Sequence, residues 1–361
     1  MSLRFTSLSC ENFRSLKEKN ISLNSGMTIF VGPNATGKTN TIEAIQLLTS
    51  GMSFRRSRPQ ELICAGQNRA KLEGVVQGDG RYIDLACTIT PNKKQFGRNG
   101  KNCKAQEVSQ TLPSILFCPD DLGFVKGSAS VRRRELDEFG GLVSEGYFKL
   151  LSTYTRSVEQ RNRLLKEDVI DKTLLESWDM SLAVGAATLL KHRVSLFDKL
   201  SVHVKRIYEQ IAEGETIQCQ YKSTISHDIA HYTKAQLQEC IFQELQKNKE
   251  SDIRRGMTQI GPHRDDISFL VDNKDSRIYC SQGQQRTIVL AWKMACVNLC
   301  EEIISTQPLL LLDDVMSELD ASRRHATTSF IEQGIQAVVT TTNLAYFDKS
   351  LLDAAQVISY G

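Results

Sequence analysis

The chain lacks most of the features that assign a sequence at once. No apolar run approaches the roughly 20 residues a bilayer-spanning helix needs, and no secretory leader is evident, so a soluble, cytoplasmic protein with no membrane partner is expected. Its ten cysteines form no CxxC pair and no cluster with histidine, which argues against zinc. Several of them (Cys87, Cys296, Cys300) sit in apolar stretches and read as reduced core residues. The net charge of +3 is too small to signal nucleic acid, so any DNA surface must be local. No sustained heptad repeat and no stacking pattern of aromatics is present.

What is present is concentrated in three phrases: GPNATGKT at 32–39, SQGQQR at 281–286 and LLLLDDVMSELD at 309–320. The first follows an apolar run (Met27, Ile29, Phe30, Val31) and precedes helical spacing at Ile42, Ile45 and Leu48. A strand, a glycine loop and a helix aim several backbone N–H groups at one anion, so this is a phosphate loop and the protein binds a nucleotide. Gly32, Pro33, Asn34, Ala35, Thr36, Gly37, Lys38, Thr39 and Asn40 are its candidate lining. Gly32 and Gly37 let the backbone curl where a Cβ would collide. Lys38 supplies charge to the terminal phosphates and counts as catalytic, and Thr39 offers its hydroxyl to Mg2+. Asn34 is either a phosphate contact or a turn residue.

Leu309, Leu310, Leu311 and Leu312 read as a buried parallel strand ending in Asp313 and Asp314. Asp313 is the candidate Mg2+ partner, and Asp314 the candidate to orient or deprotonate the attacking water. Ser281 opens a long helical pattern, with Gly283 and Gln284 beside it. A hydroxyl and free helix N–H groups make an anion receptor, although an ordinary N-cap would look the same.

The order and wording of these phrases resemble ABC-type ATPases of the SMC/Rad50 kind, and most closely the RecF family of recombination mediators. NFRS (12–15), CPDDLGFVKGSASVRRRELD (118–137) and GPHRDD (261–266) extend the likeness over nearly the whole chain. The resemblance implies an α/β fold: an ABC-type P-loop ATPase head of mixed sheet and helices, with an inserted, mostly helical arm. It implies ATP with Mg2+, a homodimer formed on ATP binding, and Ser281 acting on the nucleotide of the other subunit. The segment 317–320 would line the junction between the two sites. It also implies double-stranded and gapped DNA as ligands, RecR as partner and support of RecA loading.

Two departures stand out. Ala35 occupies a position where relatives carry glycine. Asp314 stands where ABC-type enzymes usually place glutamate, and a shorter carboxylate predicts slow hydrolysis, which the resemblance implies is DNA-dependent. No histidine follows the apolar run Ala337, Val338, Val339; Thr340, Thr341 and Thr342 stand there and can only hydrogen-bond phosphate or water.

From about Ser128 the pattern turns helical, with two long proline-free stretches joined by a polar turn at 166–172. The expected organisation is a discontinuous head (1–125 and 256–361) interrupted by a helical arm (126–255). Candidate DNA contacts are Arg55 and Arg56, which with Arg58 follow the first helix, and a hairpin carrying Lys93, Lys94, Arg98, Lys101 and Lys104 with no acidic residue between its ends; a solvated face is the alternative for each group. Arg132, Arg133 and Arg134 form a third basic group. The likeness to Rad50-like heads implies that Arg14 reaches the nucleotide from the first strand, the alternative being a β-surface arginine. Asp120 and Asp121 mark a candidate metal-contacting loop, and the charges of His263, Arg264 and Asp265 read as pairing within their own turn. A transporter's nucleotide-binding subunit and an ATP-holding scaffold without turnover are the rival readings.

Overall fold

The computed structural model describes residues 3–225 and 229–361. It divides into two units: Met1–Leu122 with Gln210–Ala212 and Arg286–Gly361, and Gly123–Glu209 with Glu213–Gln285. The chain thus returns to the first unit at Arg286, not at the expected 256. The strand that follows GPHRDD pairs with a strand of the inserted unit, and this keeps the intervening segment there.

In chain order the strands are β1 (Arg4–Phe13), β2 (Leu16–Ser22), β3 (Met27–Val31), β4 (Ala70–Gly78), β5 (Arg81–Thr90), β6 (Lys93–Arg98), β7 (Lys101–Cys103) and β8 (Ser114–Phe117). They continue as β9 (Ile217–Lys222), β10 (Asp266–Val271), β11 (Lys274–Asp275), β12 (Leu309–Asp313), β13 (Ala337–Thr341) and β14 (Gln356–Ser359).

The first unit holds two sheets. One is parallel, in the order β14-β3-β13-β12-β8. Its inner strands are buried along nearly their whole length, which is why they read as continuous apolar runs. The other is antiparallel, in the order β2-β1-β4-β5-β6-β7, and alternates buried with exposed positions. Helix Lys38–Ser50 lies in the core that both sheets share. Its Ile42, Ile45 and Leu48 are fully buried in one cluster with Phe5, Phe13 and Leu72 of the antiparallel sheet and Phe30, Leu311 and Val338 of the parallel one. Cutting any such aliphatic side chain back to alanine costs about 2–5 kcal/mol. The first helix is therefore fixed on two faces, and with it the loop at its N-terminus. Because β3, β12 and β13 are parallel neighbours, the residues that follow them emerge at one edge.

The second unit is built on helices Ala129–Val143, Glu145–Leu164 and Lys234–Arg255 and on most of helix Lys172–Ile211. That last helix has 40 residues, about 60 Å of rise. It is capped by Asp171, whose carboxylate accepts from the N–H groups of Thr173 and Leu174. A three-stranded sheet, β11-β10-β9, completes the unit, with Asp266 to Val271 paired against Lys222 to Ile217.

Buried ion pairs bind these elements together. Fully buried Arg161 contacts Asp179 at 2.6 Å and Asp252 at 2.7 Å, joining three helices. Removing one partner of such a pair costs about 3–5 kcal/mol, because the other charge is left uncompensated. The GPHRDD phrase belongs to the same scheme, and its charges do not pair among themselves. Asp265 accepts from the Tyr221 hydroxyl and from Thr224, and Asp266 pairs with Arg132 and Arg277. Arg264 donates to the Thr258 carbonyl, and His263 bridges the Tyr154 hydroxyl (2.7 Å) and that same carbonyl (3.0 Å).

Candidate functional site

The phosphate loop leaves β3 and enters helix Lys38–Ser50 through two glycines that only glycine can serve. A Cβ on Gly32 would lie 2.0 Å from the Tyr360 carbonyl oxygen. Gly37 has φ of 100°, and a Cβ there would meet Leu16 at 2.9 Å. Ala35 also takes a left-handed φ, 68°, a conformation glycine enters without the Cβ penalty. The Lys38 ammonium folds back onto the loop and donates to the carbonyls of Gly32 (2.7 Å) and Pro33 (2.6 Å). Thr36 closes the same turn on Pro33. The buried cation thus satisfies itself on its own loop, and an incoming phosphate oxygen is a stronger acceptor than either carbonyl.

Opposite the loop, the end of β12 supplies the acids. Asp313 Oδ1 accepts from Thr39 Oγ1 at 3.0 Å and from Thr340 Oγ1 at 2.8 Å. Burial raises the Asp313 pKa, against the pull of those hydroxyls and of the Arg55 and Lys38 charges. Asp314 sits at φ 54° with its N–H donating to Thr340, and its Oδ1 is buried without a hydrogen-bond partner. Burial, then the neighbouring Asp313 charge, raises its pKa. A threonine hydroxyl beside a carboxylate at a phosphate loop is the hard-oxygen donor set that suits Mg2+, so Thr39 and Asp313 fit the metal expected of them. Thr340 acts on the two aspartates themselves.

Arg14 and Arg55 meet on Glu43, a residue that no motif marks and that the sequence reading passes over. This carboxylate is fully buried and accepts from Arg14 at 2.7 Å, Arg55 at 3.3 Å and Ser53 at 2.6 Å. The signal that could have found it is a lone acid within the apolar stretch Ile42 to Ile45. Arg55 also donates to Asn40, which donates to Ser15. Arg55 therefore stands beside the phosphate loop and close enough to Asp313 to act on it, whereas the sequence groups it with the DNA contacts. Arg56 follows with φ of 52°.

Ser281 lies in the second unit, at the start of helix Gln282–Ile304. It forms a reciprocal cap: Gln284 N–H donates to Ser281 Oγ (3.2 Å), and Ser281 N–H donates to Gln284 Oε1 (2.9 Å). Gln284 also reaches Glu215. In the cap the serine oxygen only accepts, so its O–H remains a donor for an anion, and the capping and receptor readings are compatible. Asp121 pairs with Lys293 at 2.9 Å and accepts from the Cys118 N–H, while Asp120 is exposed.

The basic hairpin is β6–β7, closed by Asn99 and Gly100, both at positive φ as a two-residue turn of the primed type requires. Lys93, Arg98, Lys101 and Lys104 are exposed and Lys94 is half-buried. Lys101 borders a groove of about 950 Å3 on the antiparallel sheet, whose lining also includes Arg69, Glu73 and Asp84. The hairpin's positive charge thus stands at the rim of a surface of mixed sign. No helix among the described residues is long and apolar enough to cross a membrane.

A family model described as the RecF/RecN/SMC N terminal domain matches residues 4–358. The DNA replication and repair protein RecF of Symbiobacterium thermophilum is 38% identical over 336 residues, spanning 92% of this chain and 89% of that relative. RecF of Gloeobacter violaceus is 34% identical over 361 residues, spanning 98% and 96%. A solved structure of the recombination mediator protein RecF with ATP, of the RecFOR pathway, matches with a TM-score of 0.89 at 31% identity, over 96% of this chain and 94% of that one. The SMC head bound to the C-winged helix domain of ScpA shares the fold at a TM-score of 0.58 and 17% identity, over 99% and 93%.

Proposed function

The chain belongs to the RecF family of DNA replication and repair proteins, and from that premise we propose that it is an ATP-driven DNA-binding switch. The single observation that carries the reading is the convergence of Thr39, Asp313 and Asp314 at the mouth of the phosphate loop. In this reading the N–H groups of the loop and the start of helix Lys38–Ser50 receive the phosphates of ATP, and Lys38 leaves its two carbonyls for the terminal phosphate. Mg2+, held by Thr39 and Asp313, neutralises charge on the phosphate oxygens when bound.

Asp314 holds a water and accepts its proton as the water oxygen bonds to the terminal phosphorus and the bridging P–O bond breaks, releasing ADP and phosphate. Its short carboxylate keeps this step slow. Ser281 of a second copy donates its hydroxyl to the same triphosphate, so each nucleotide bridges two chains. ATP then favours the dimer because it binds the paired state more tightly than the single one. The paired heads grip duplex or gapped DNA through its backbone, hydrolysis releases it, and the cycle supports RecA loading together with RecR.

Sedimentation with ATP and Mg2+, with and without a short duplex, tests the reading. A dimer that needs nucleotide, and that Ser281→Arg abolishes while ATP still binds the single chain, is the expected result. A chain that stays single at saturating, unhydrolysed nucleotide and DNA rejects it.

A further inference from the structure

One residue outside every motif grips the phosphate loop on both sides. Tyr360, next after β14, donates its backbone N–H to the Val31 carbonyl at 2.7 Å, where β3 runs into the loop. Its own carbonyl oxygen fills the space a Cβ on Gly32 would need. Its ring packs on Phe30, and its hydroxyl lies 2.8 Å from Thr41 Oγ1 in the first turn of helix Lys38–Ser50. Thr41 Oγ1 in turn donates to the Gly37 carbonyl at 3.1 Å. That donation commits the threonine proton, so the tyrosine must donate: the relay runs Tyr360 O–H to Thr41 O–H to Gly37 C=O. Gly37 is the loop's last glycine, held at φ 100°, and the orientation of its peptide sets where the neighbouring N–H groups aim.

We infer that Tyr360 is a positioning residue for the phosphate loop, an inference that rests on reading that loop as the ATP site. It touches no phosphate. It fixes the strand side of the loop through its backbone and the helix side through its hydroxyl. Donors that must converge on one anion lose affinity when either end is free to drift. Lys38 and Thr36 bond only to carbonyls within the loop, the bond from the Gly32 N–H to the Thr341 carbonyl holds its strand side and that from Thr39 to Asp313 its helix side, whereas Tyr360 engages both sides at once.

The test is titration of a fluorescent ATP analogue with Mg2+ into wild type, Tyr360→Phe, Thr41→Val, the double variant and Thr41→Ser, with thermal unfolding of each in the absence of nucleotide. Tyr360→Phe keeps the ring and its packing, so the unliganded midpoint should move little. Tyr360→Phe and Thr41→Val should each weaken binding about three- to tenfold, the range expected when one hydrogen bond is removed. The double variant should bind no worse than the weaker single, because both remove one relay. Thr41→Ser, which keeps the relay, should restore the affinity that Thr41→Val gives up. Wild-type affinity in Tyr360→Phe, or losses that multiply in the double variant, would overturn the inference. Absence of binding by the wild type would instead remove the ATP reading beneath it.

Discussion

Thr39 and Asp313 stand 274 positions apart in sequence, yet the threonine hydroxyl donates to the aspartate at 3.0 Å. The two groups expected to share one cation thus lie within hydrogen-bond distance of each other. The contact costs the site little, since Asp313 also accepts from Thr340. Replacing Asp313 by Asn keeps an oxygen for both threonines but removes the charge. Asp313→Asn should therefore fold normally and lose most of the Mg2+ dependence of ATP binding, so that affinities with Mg2+ and with chelator converge within about threefold. An unchanged Mg2+ dependence would assign the metal elsewhere.

Asp314 should be separable from its neighbour. Its Oδ1 is buried and unpaired, which is costly in a group with no task and useful in one that waits for a water. Burial and the Asp313 charge raise its pKa, so the unliganded folded protein holds this proton more tightly than the unfolded chain does. A base must be ionised, so hydrolysis should fall as pH drops far enough to protonate Asp314. Asp314→Asn should lose that pH dependence and about 10²–10⁴-fold in phosphate release, while still binding ATP. Equal phosphate release in the two proteins would favour a scaffold without turnover.

The elements that meet at this edge are legible in the sequence because their signals are local. The run Leu309 to Leu312 is apolar at every position because β12 is covered on both faces, and the glycines of the loop mark its turn. What escapes the sequence depends on pairing at long range. Glu43 becomes a hub only when Arg14 and Arg55 arrive from two other segments. Tyr360 has no pattern of its own, since its partners lie more than 300 positions away. The return at Arg286 is hidden because β10 pairs with β9 across 44 to 54 positions, and no local feature of either strand announces its partner. Ser281 reads as cap or as receptor in the sequence, and its geometry allows both.

His263 gives the second unit a pH dependence of its own. Burial pushes its pKa down to about 4, and the charges of Arg264, Arg133 and Arg193 push the same way, against its hydrogen bond to Thr258. Folded His263 is neutral where the unfolded side chain, near its ordinary value of about 6.5, begins to take a proton. Its contribution to stability is complete above that value and is lost as pH falls towards about 4. The loss should reach about 2 kcal/mol near pH 5, and urea unfolding at neutral and mildly acid pH measures it. His263→Gln, with an amide to bridge Tyr154 and Thr258, should show a smaller difference between the two conditions. An equal difference would place the titration on another group.

The two groups of basic residues should fail in different assays. Lys101 is exposed at the turn that closes β6 on β7, while Lys93 is exposed and Lys94 half-buried at the other end of β6, beside its turn from β5. Changing all three to glutamine should weaken duplex binding in the presence of ATP. The slope of log affinity against log salt should become shallower by about 0.9 for each DNA phosphate that is no longer neutralised. Arg55 is tied instead to Asn40 and Glu43 beside the phosphate loop. Arg55→Gln should weaken ATP binding and leave the salt slope of any remaining DNA complex as it was. If the hairpin variant kept its slope and Arg55→Gln flattened it, the DNA surface would have to move from the antiparallel sheet to the neighbourhood of the nucleotide.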